Sequence, residues 1–393
     1  KSNRKLEYSD NMHVLHIVGS YGGTEVYRHL ISELDKLGVK QTVFVPLNFQ
    51  NRERFGNQLI DFNVSSSKII YDISLEKYHK YFIRSKIRTI FKAIERNVDL
   101  KDINIIHCAN LCTDGSVAYE IKKKYEIPYI SAIRNTDIFT YYSLMFWKRA
   151  YFNRVALNSN NIVFISPAHK DLYCRKYFNL SDSKISIIPN GVSNIYLRDR
   201  NFHTEKLSSK IRLIFASAYV KNKSLKEIIQ SIAELRIERD LDITLHAVGD
   251  GLPFRKIDHN YVNEIYSLAS KYKWLTLEKY VPKEMLKQKY SEADIYIMPS
   301  QPETFGLVYV EALTQGLPII YGKGQGFDGY FEEGEVGYHA KAFDVEDIKN
   351  AIINTISNYS KLVSYIKNSD LKDFFSWEMI AKKYFKIYEH NAR

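Results

Sequence analysis

Two glutamates, Glu303 and Glu311, stand eight positions apart in the run Pro299-Ser300-Gln301-Pro302-Glu303-Thr304-Phe305-Gly306-Leu307-Val308-Tyr309-Val310-Glu311-Ala312-Leu313. An apolar strand ending at Met298 feeds this run, and a helix is expected from near Phe305, with unpaired backbone N–H groups at its mouth. Eight steps at about 100° each turn a helix by about 80°, so the two carboxylates would address different parts of one extended ligand. Ser300-x-x-Glu303 also reads as a capping box, a purely local role for Glu303. Glu311 sits among Val308, Tyr309, Val310, Ala312 and Leu313, where an unpaired carboxylate is costly to bury, so it needs a partner.

Three more loops follow apolar runs. Gly22 and Gly23, in Gly19-Ser20-Tyr21-Gly22-Gly23-Thr24-Glu25, let backbone approach a ligand ahead of a helix from Val26 to Leu37. The spacing is neither a dinucleotide fingerprint nor a P-loop, and a plain tight turn is the alternative. Arg134-Asn135-Thr136-Asp137 puts a cation and a carboxylate at a strand end, where they would meet a ligand or simply cap the next helix. Lys221 and Lys223 stand at the entry of a helix starting near Leu225; cations there are unfavourable unless an anion such as a diphosphate is present, or unless solvent screens them.

The elements that must position these loops alternate between β-branched apolar runs and helical patterns. The runs are Met12 to Val18, Gln41 to Pro46, Ile103 to His107, Pro128 to Ile133 and Asn161 to Ser166. A second series holds Ile211 to Ser217, Ile243 to Val248, Ala293 to Met298 and Leu317 to Tyr321. Such alternation predicts parallel sheets with helices on both faces, and 393 residues call for two domains. Turn residues at Pro189-Asn190-Gly191 and the polar stretch Asp199 to Ser209 place the boundary near Asn194. The expected division is 1–194, 195–372, and a final segment 373–393. In that segment Phe374, Trp377, Ile380, Tyr384 and Ile387 share a helical side that needs covering, and it is expected to pack back on the first domain.

The totals narrow the setting. No apolar run reaches the roughly 20 residues of a membrane span, and Lys1 to Asp10 lacks a signal peptide's apolar middle, so a cytoplasmic location is expected. Cys108, Cys112 and Cys174 are too few and odd in number for a disulfide framework, and His107, Cys108 and Cys112 lack a second ligand pair for zinc. The formal net charge of +11 favours anionic partners, but the basic residues are scattered and form no nucleic-acid recognition motif. Lys77 to Lys101 interleaves Lys77, Lys80, Arg84, Lys86, Arg88, Lys92 and Arg96 with apolar residues, the composition of an interfacial helix on an anionic membrane or of a solvated helix face. The aromatic stretch Tyr141 to Arg154 reads as core, or as a surface for lipid or an aglycone.

Taken together, the chain resembles glycosyltransferase family 4, whose mark is Glu-x7-Glu within Glu-x-Phe-Gly-Leu: here Glu303, Phe305, Gly306, Leu307 and Glu311. The resemblance extends to Gly22 and Gly23, Ile188-Pro189-Asn190-Gly191-Val192, Val248-Gly249-Asp250-Gly251, Ala293-Asp294, Met298-Pro299-Ser300 and Phe375-Ser376-Trp377. It implies an α/β, GT-B fold of two doubly wound Rossmann-like domains facing across a cleft. It also implies retaining transfer of a sugar from a nucleotide diphosphate, UDP being the commonest carrier, to a glycan or lipid-linked acceptor in bacterial surface polysaccharide synthesis. By the same resemblance Glu311 holds the ribose, Glu303 the donor sugar, the backbone at Phe305 to Leu307 the sugar and phosphate, and Lys223 the diphosphate. No metal or other cofactor is expected, because Asp240-Leu241-Asp242 precedes its strand. Two departures stand out. Ser217-Ala218 replaces a Gly-Arg pair, and Arg134-Asn135-Thr136-Asp137 replaces His-Gly-x-Asp, so Asp137 is carried over with Arg134 as a replacement cation. A sugar-nucleotide epimerase and a nucleotide-sugar-binding scaffold subunit are the rival readings.

Overall fold

The computed structural model describes residues 12–198, 206–251 and 258–393. The polar start Lys1 to Asp10 and most of the stretch Asp199 to Ser209 lie outside the described residues. The chain divides into two compact units: one holds residues 1–165, 170–190 and 377–393, the other 166–169 and 191–376.

The first unit is built on seven parallel strands: β1 (His13–Ile17), β2 (Lys40–Asn48), β3 (Lys68–Leu75), β4 (Ile105–Cys108), β5 (Tyr129–Ile133), β6 (Asn161–Phe164) and β7 (Ile185–Ile187). Their order is β3-β2-β1-β4-β5-β6-β7. The inner strands are apolar throughout because helices cover both faces. Alternate residues go to opposite sides. Leu15, Ile17, Ile106, Ile162 and Phe164 join a core with the helices Ile83–Asn97, Ser116–Tyr125 and Arg149–Asn158. Val14, Ile105, Ile130 and Val163 pack with Leu30 and Leu34 of the helix Val26–Lys36 and with the last helix, Trp377–Asn391. That last helix buries Trp377, Ile380, Ala381, Tyr384, Phe385 and Tyr388, while Phe374 lies ahead of it and is 38% exposed. Truncating Ile380 to Ala would open a void costing about 2–5 kcal/mol.

The second unit carries six parallel strands: β8 (Lys210–Ala216), β9 (Asp242–Asp250), β10 (Leu275–Lys279), β11 (Ile295–Ile297), β12 (Ile319–Gly322) and β13 (Gly337–Ala340), in the order β10-β9-β8-β11-β12-β13. In each sheet the strand order reverses once, between β1 and β4 and between β8 and β11. Loops leaving the carboxyl ends on either side of such a reversal diverge and leave room for a ligand.

The zinc alternative finds no support in the geometry. His107 is buried within β4, its Nδ1 is 2.7 Å from the Tyr388 hydroxyl, and burial holds its imidazole well below the usual value. Burial likewise raises the Cys108 and Cys112 thiols far above theirs, so both act as small apolar filling. Among the described residues no cluster of His, Cys, Asp and Glu is arranged to hold a metal ion, and no helix is long and apolar enough to cross a membrane.

Candidate active site

In the second unit the two loops beside the strand reversal meet. Lys223, at the end of the short turn Lys221–Lys223 after β8, reaches Glu303, in the loop after β11: Nζ to Oε2 is 2.6 Å, with side chains only 7% and 13% exposed. Burial, the largest single influence, would raise the Glu303 carboxyl, but the Lys223 ammonium together with the Ser300 hydroxyl and the Thr304 N–H holds the group below its ordinary value. The Ser300 hydroxyl donates to the same Oε2 at 3.0 Å, and the Thr304 N–H donates to Oε1 at 3.0 Å. The loops are knit further by Gln301 N–H donating to the Asn222 carbonyl at 2.9 Å.

The helix after this loop is Leu307–Thr314, so it starts two residues later than expected, and Glu303 lies ahead of it rather than on it. The capping-box reading and the 80° rotation between the two glutamates therefore fall away. What separates the carboxylates is a loop bent at Gly306, whose φ of +80° and proximity to the Tyr309 ring exclude a Cβ, which would stand 2.2 Å from it. Phe305 is 2% exposed and packs edge-on against Tyr330, so its ring anchors the loop, and any contribution to a ligand comes from backbone. The N–H groups of Leu307 and Val308 open the first turn with no acceptor within the helix, while the Tyr309 N–H donates to the Gly306 carbonyl at 2.9 Å.

Glu311 is half-buried on that helix. Burial raises its carboxyl to about 7, against the pull of the Lys283 charge and the Tyr196 and Tyr290 hydroxyls beside it. These aromatic neighbours are the partner its apolar setting demanded. Lys221, by contrast, is a solvated lysine, 74% exposed and 3.9 Å from Asp258. Ala218 is buried and supplies no cation.

Gln325 escaped the sequence reading. Its side-chain carbonyl accepts the Glu303 N–H at 3.2 Å, and the next residue's N–H donates to the Glu303 carbonyl at 3.2 Å. The signal was the glycine cluster Gly322, Gly324 and Gly326. A Cβ at Gly326 would lie 2.8 Å from Phe305 backbone, so the loop after β12 needs that glycine to lie against the Glu303 loop.

In the first unit the corresponding carboxylate has another job. Asp137 is fully buried and accepts the N–H groups of Cys112 at 2.8 Å, Arg134 at 2.9 Å and Leu111 at 3.3 Å. It ties the loops after β4 and β5 together. Arg134 is half-buried, with Nε 3.4 Å from the Ala109 carbonyl and its guanidinium 5.9 Å from the Tyr27 ring. Gly22 and Gly23 close the short turn Tyr21–Gly23. Arg54, unremarked in the sequence, comes against them from the connection after β2: a Cβ on Gly23 would stand 3.2 Å from its guanidinium. Asp114 was also missed. It is 1% exposed, accepts from Asn110 at 2.8 Å, and burial raises its carboxyl to about 7 despite the Lys86 charge and the Gly19 N–H.

Comparison with known proteins matches residues 21–194 to the model described as Glycosyltransferase Family 4 and residues 198–372 to Glycosyl transferases group 1. An uncharacterized glycosyltransferase of Methanocaldococcus jannaschii is 25% identical over 302 residues, 76% of this chain and 79% of that protein. Among solved structures, sucrose-phosphate synthase from Thermosynechococcus elongatus aligns with a TM-score of 0.73 at 16% identity, covering 96% of this chain and 98% of that one. Anabaena HepE in complex with UDP aligns with a TM-score of 0.69 at 12% identity, covering 97% and 100%. With two all-parallel sheets on which these matches fall in turn, the chain is a glycosyltransferase of the GT-B fold, its first domain like family 4 and its second like group 1.

Proposed function

We propose that the protein transfers a sugar from a nucleotide diphosphate, with UDP as carrier, to a glycan or lipid-linked acceptor, with retention at the anomeric carbon. The observation that carries this reading is the buried Lys223–Glu303 pair at the strand reversal of the second sheet. A diphosphate entering there takes the Lys223 ammonium as its counter-charge, and the sugar hydroxyls take over the Glu303 oxygens. Lys223 and the first N–H groups of the helix Leu307–Thr314 then stabilise the charge that builds on the leaving diphosphate as the sugar becomes oxocarbenium-like. The departing phosphate guides the acceptor hydroxyl to the same face, so no protein nucleophile is required. Glu311, bent away from Glu303 by Gly306, receives the ribose hydroxyls, and the backbone of Phe305 to Leu307 lines the path between them. UDP as carrier draws support from the complex formed by HepE. Gly22 and Gly23 serve the donor through their backbone, and Arg134 is the replacement cation near the donor or acceptor. Asp137 shapes the acceptor side by holding its loops, not by touching the substrate. Surface polysaccharide synthesis at the inner face of the cell membrane is the setting we assign.

The test is a donor screen with UDP-, GDP- and ADP-sugars that reads released nucleotide diphosphate, with Glu303→Ala and Glu311→Ala as controls. Release that depends on both glutamates, and a product of unchanged anomeric configuration by NMR, is the expected result. Nucleotide binding with no release from any donor over a broad acceptor set would turn the reading to a binding subunit.

A further inference from the structure

The stretch Lys77 to Lys101 is not one helix. It folds as a short turn, Lys77–Lys80, followed by the helix Ile83–Asn97. That helix buries Ile83, Ile87, Ile90 and Ile94 and leaves Arg84, Arg88, Lys92 and Arg96 exposed at four-residue spacing. Like charges at that spacing face one another on a helix and repel, so the stripe weakens the helix that carries it. Among the described residues neither Arg84, Arg88 nor Lys92 has a carboxylate within ion-pair distance.

Folding adds something the sequence order hides. Lys148 and Tyr151, far along the chain, line one groove with Arg84, Arg88 and Lys92, over a floor that includes Ile83, Ile87 and Phe91. Two carboxylates also line it, but both are engaged: Glu95 with Lys124 of the neighbouring helix at 2.6 Å, and Glu120 with Lys123 of its own helix at 2.6 Å. The groove therefore has a cationic rim with no free counter-charge, and an apolar floor. Two of the segments that form it are preceded by large exposed apolar side chains: Tyr81 and Phe82, 73% and 63% exposed, before one, and Phe146 and Trp147, 66% and 62% exposed, before the other. Phe146 and Trp147 pack edge-to-face, with ring centroids 5.1 Å apart, so they form a stiff pair. A soluble polyanion would satisfy the cations and leave the aromatics in water; an uncharged apolar surface would do the reverse. A layer with phosphates above hydrocarbon satisfies both at once.

We infer that this face of the first unit docks on an anionic phospholipid bilayer, with lipid phosphates at Arg84, Arg88, Lys92 and Lys148 and with Phe82, Phe146 and Trp147 entering the interface. The inference deepens the lipid-linked branch of the acceptor reading, though its evidence is independent of the donor site.

The test is flotation of the full chain with vesicles of phosphatidylcholine alone or mixed with phosphatidylglycerol, at low and high salt. Binding is expected only to the mixed vesicles and is weakened by salt. Each cation near such a surface contributes roughly a factor of five, so the Arg84→Gln, Arg88→Gln, Lys148→Gln triple variant should bind about 100-fold more weakly. Phe146→Ser with Trp147→Ser should weaken binding to the mixed vesicles even at low salt. Failure to float with the mixed vesicles, equal flotation with neutral ones, or wild-type flotation by the triple variant would overturn the inference. Melting curves and UDP titration by calorimetry accompany each variant. A chain that binds no UDP yet floats as expected would count against the donor reading and leave the docking surface standing.

Discussion

The two sheets reverse strand order at equivalent places, yet their loops treat carboxylates in opposite ways. In the second unit the side chain from one loop, Lys223, meets the side chain from the next, Glu303, and the pair is held by Ser300 and the Thr304 N–H. In the first unit Asp137 accepts backbone N–H groups from two loops, and Asp114 is buried with its carboxyl raised to about 7. A carboxylate satisfied by backbone fixes loop shape; one satisfied by a lysine can exchange that lysine for a ligand. The difference separates loops that a ligand could reorganise from loops held in place by their own backbone.

The comparison breaks most readily at the ion pair. Glu303→Ala strands a buried ammonium and should destabilise the protein by about 3–5 kcal/mol, read by urea unfolding, while abolishing donor turnover. Lys223→Met combined with Glu303→Leu should recover most of that stability and remain inactive. Recovery of activity with stability would reduce the pair to a structural role. Lys223→Ala alone should lower kcat/KM by about 100- to 1,000-fold, the size expected when a donor to a developing anion is lost.

Asp137→Ala sharpens the other side. It leaves three backbone N–H groups unmet, at about 1–3 kcal/mol each, with UDP affinity by calorimetry unchanged. A well-folded Asp137→Ala that binds UDP but has lost turnover would move Asp137 into the reaction and erase the contrast.

The smallest effect concerns pH. Glu311 and Asp114 both have folded values near 7, against ordinary carboxyl values of 4.5 and 3.8. Below those ordinary values both states of the chain hold the protons, and the contribution is complete. As pH climbs to about 7 only the folded state keeps them, so stability falls. Glu311 is half-buried, which screens its share, and Glu311→Gln should remove about 1–2 kcal/mol of the loss between pH 5 and 8. Melting temperatures across that range decide it: an unchanged slope would mean that Glu311 titrates normally.

How much could be read beforehand follows from burial. Inner strands such as β1 and β8 are covered on both faces and show as apolar runs. Strands such as β3, β10 and β13, which went unread, lie at sheet edges, where Asp72, Thr276 and Glu278, or a glycine start at Gly337, interrupt the run. The motif residues Glu303, Gly306 and Glu311 were legible, because a glycine with φ of +80° between two acids is a local requirement. The Lys223–Glu303 contact spans eighty positions and depends on which strands are neighbours, which local spacing does not encode. Gln325, Asp114 and Arg54 were missed for the same reason. Each acts through a loop brought in by sheet order, and only Gln325 stands in a local pattern, the glycines Gly322, Gly324 and Gly326.

The closing helix has an implication for protein engineering. Its residues 377–393 belong with the first unit, and residues 166–169 with the second, so the halves are exchanged along the chain rather than strung in tandem. A chimera spliced at the single obvious junction near Asn190 would strip Val14, Leu30, Ile105 and Val163 of their cover and hand an orphaned amphipathic tail to the wrong half. Shuffling of donor specificities therefore has to transplant an internal cassette between two cut points, leaving head and tail from one parent.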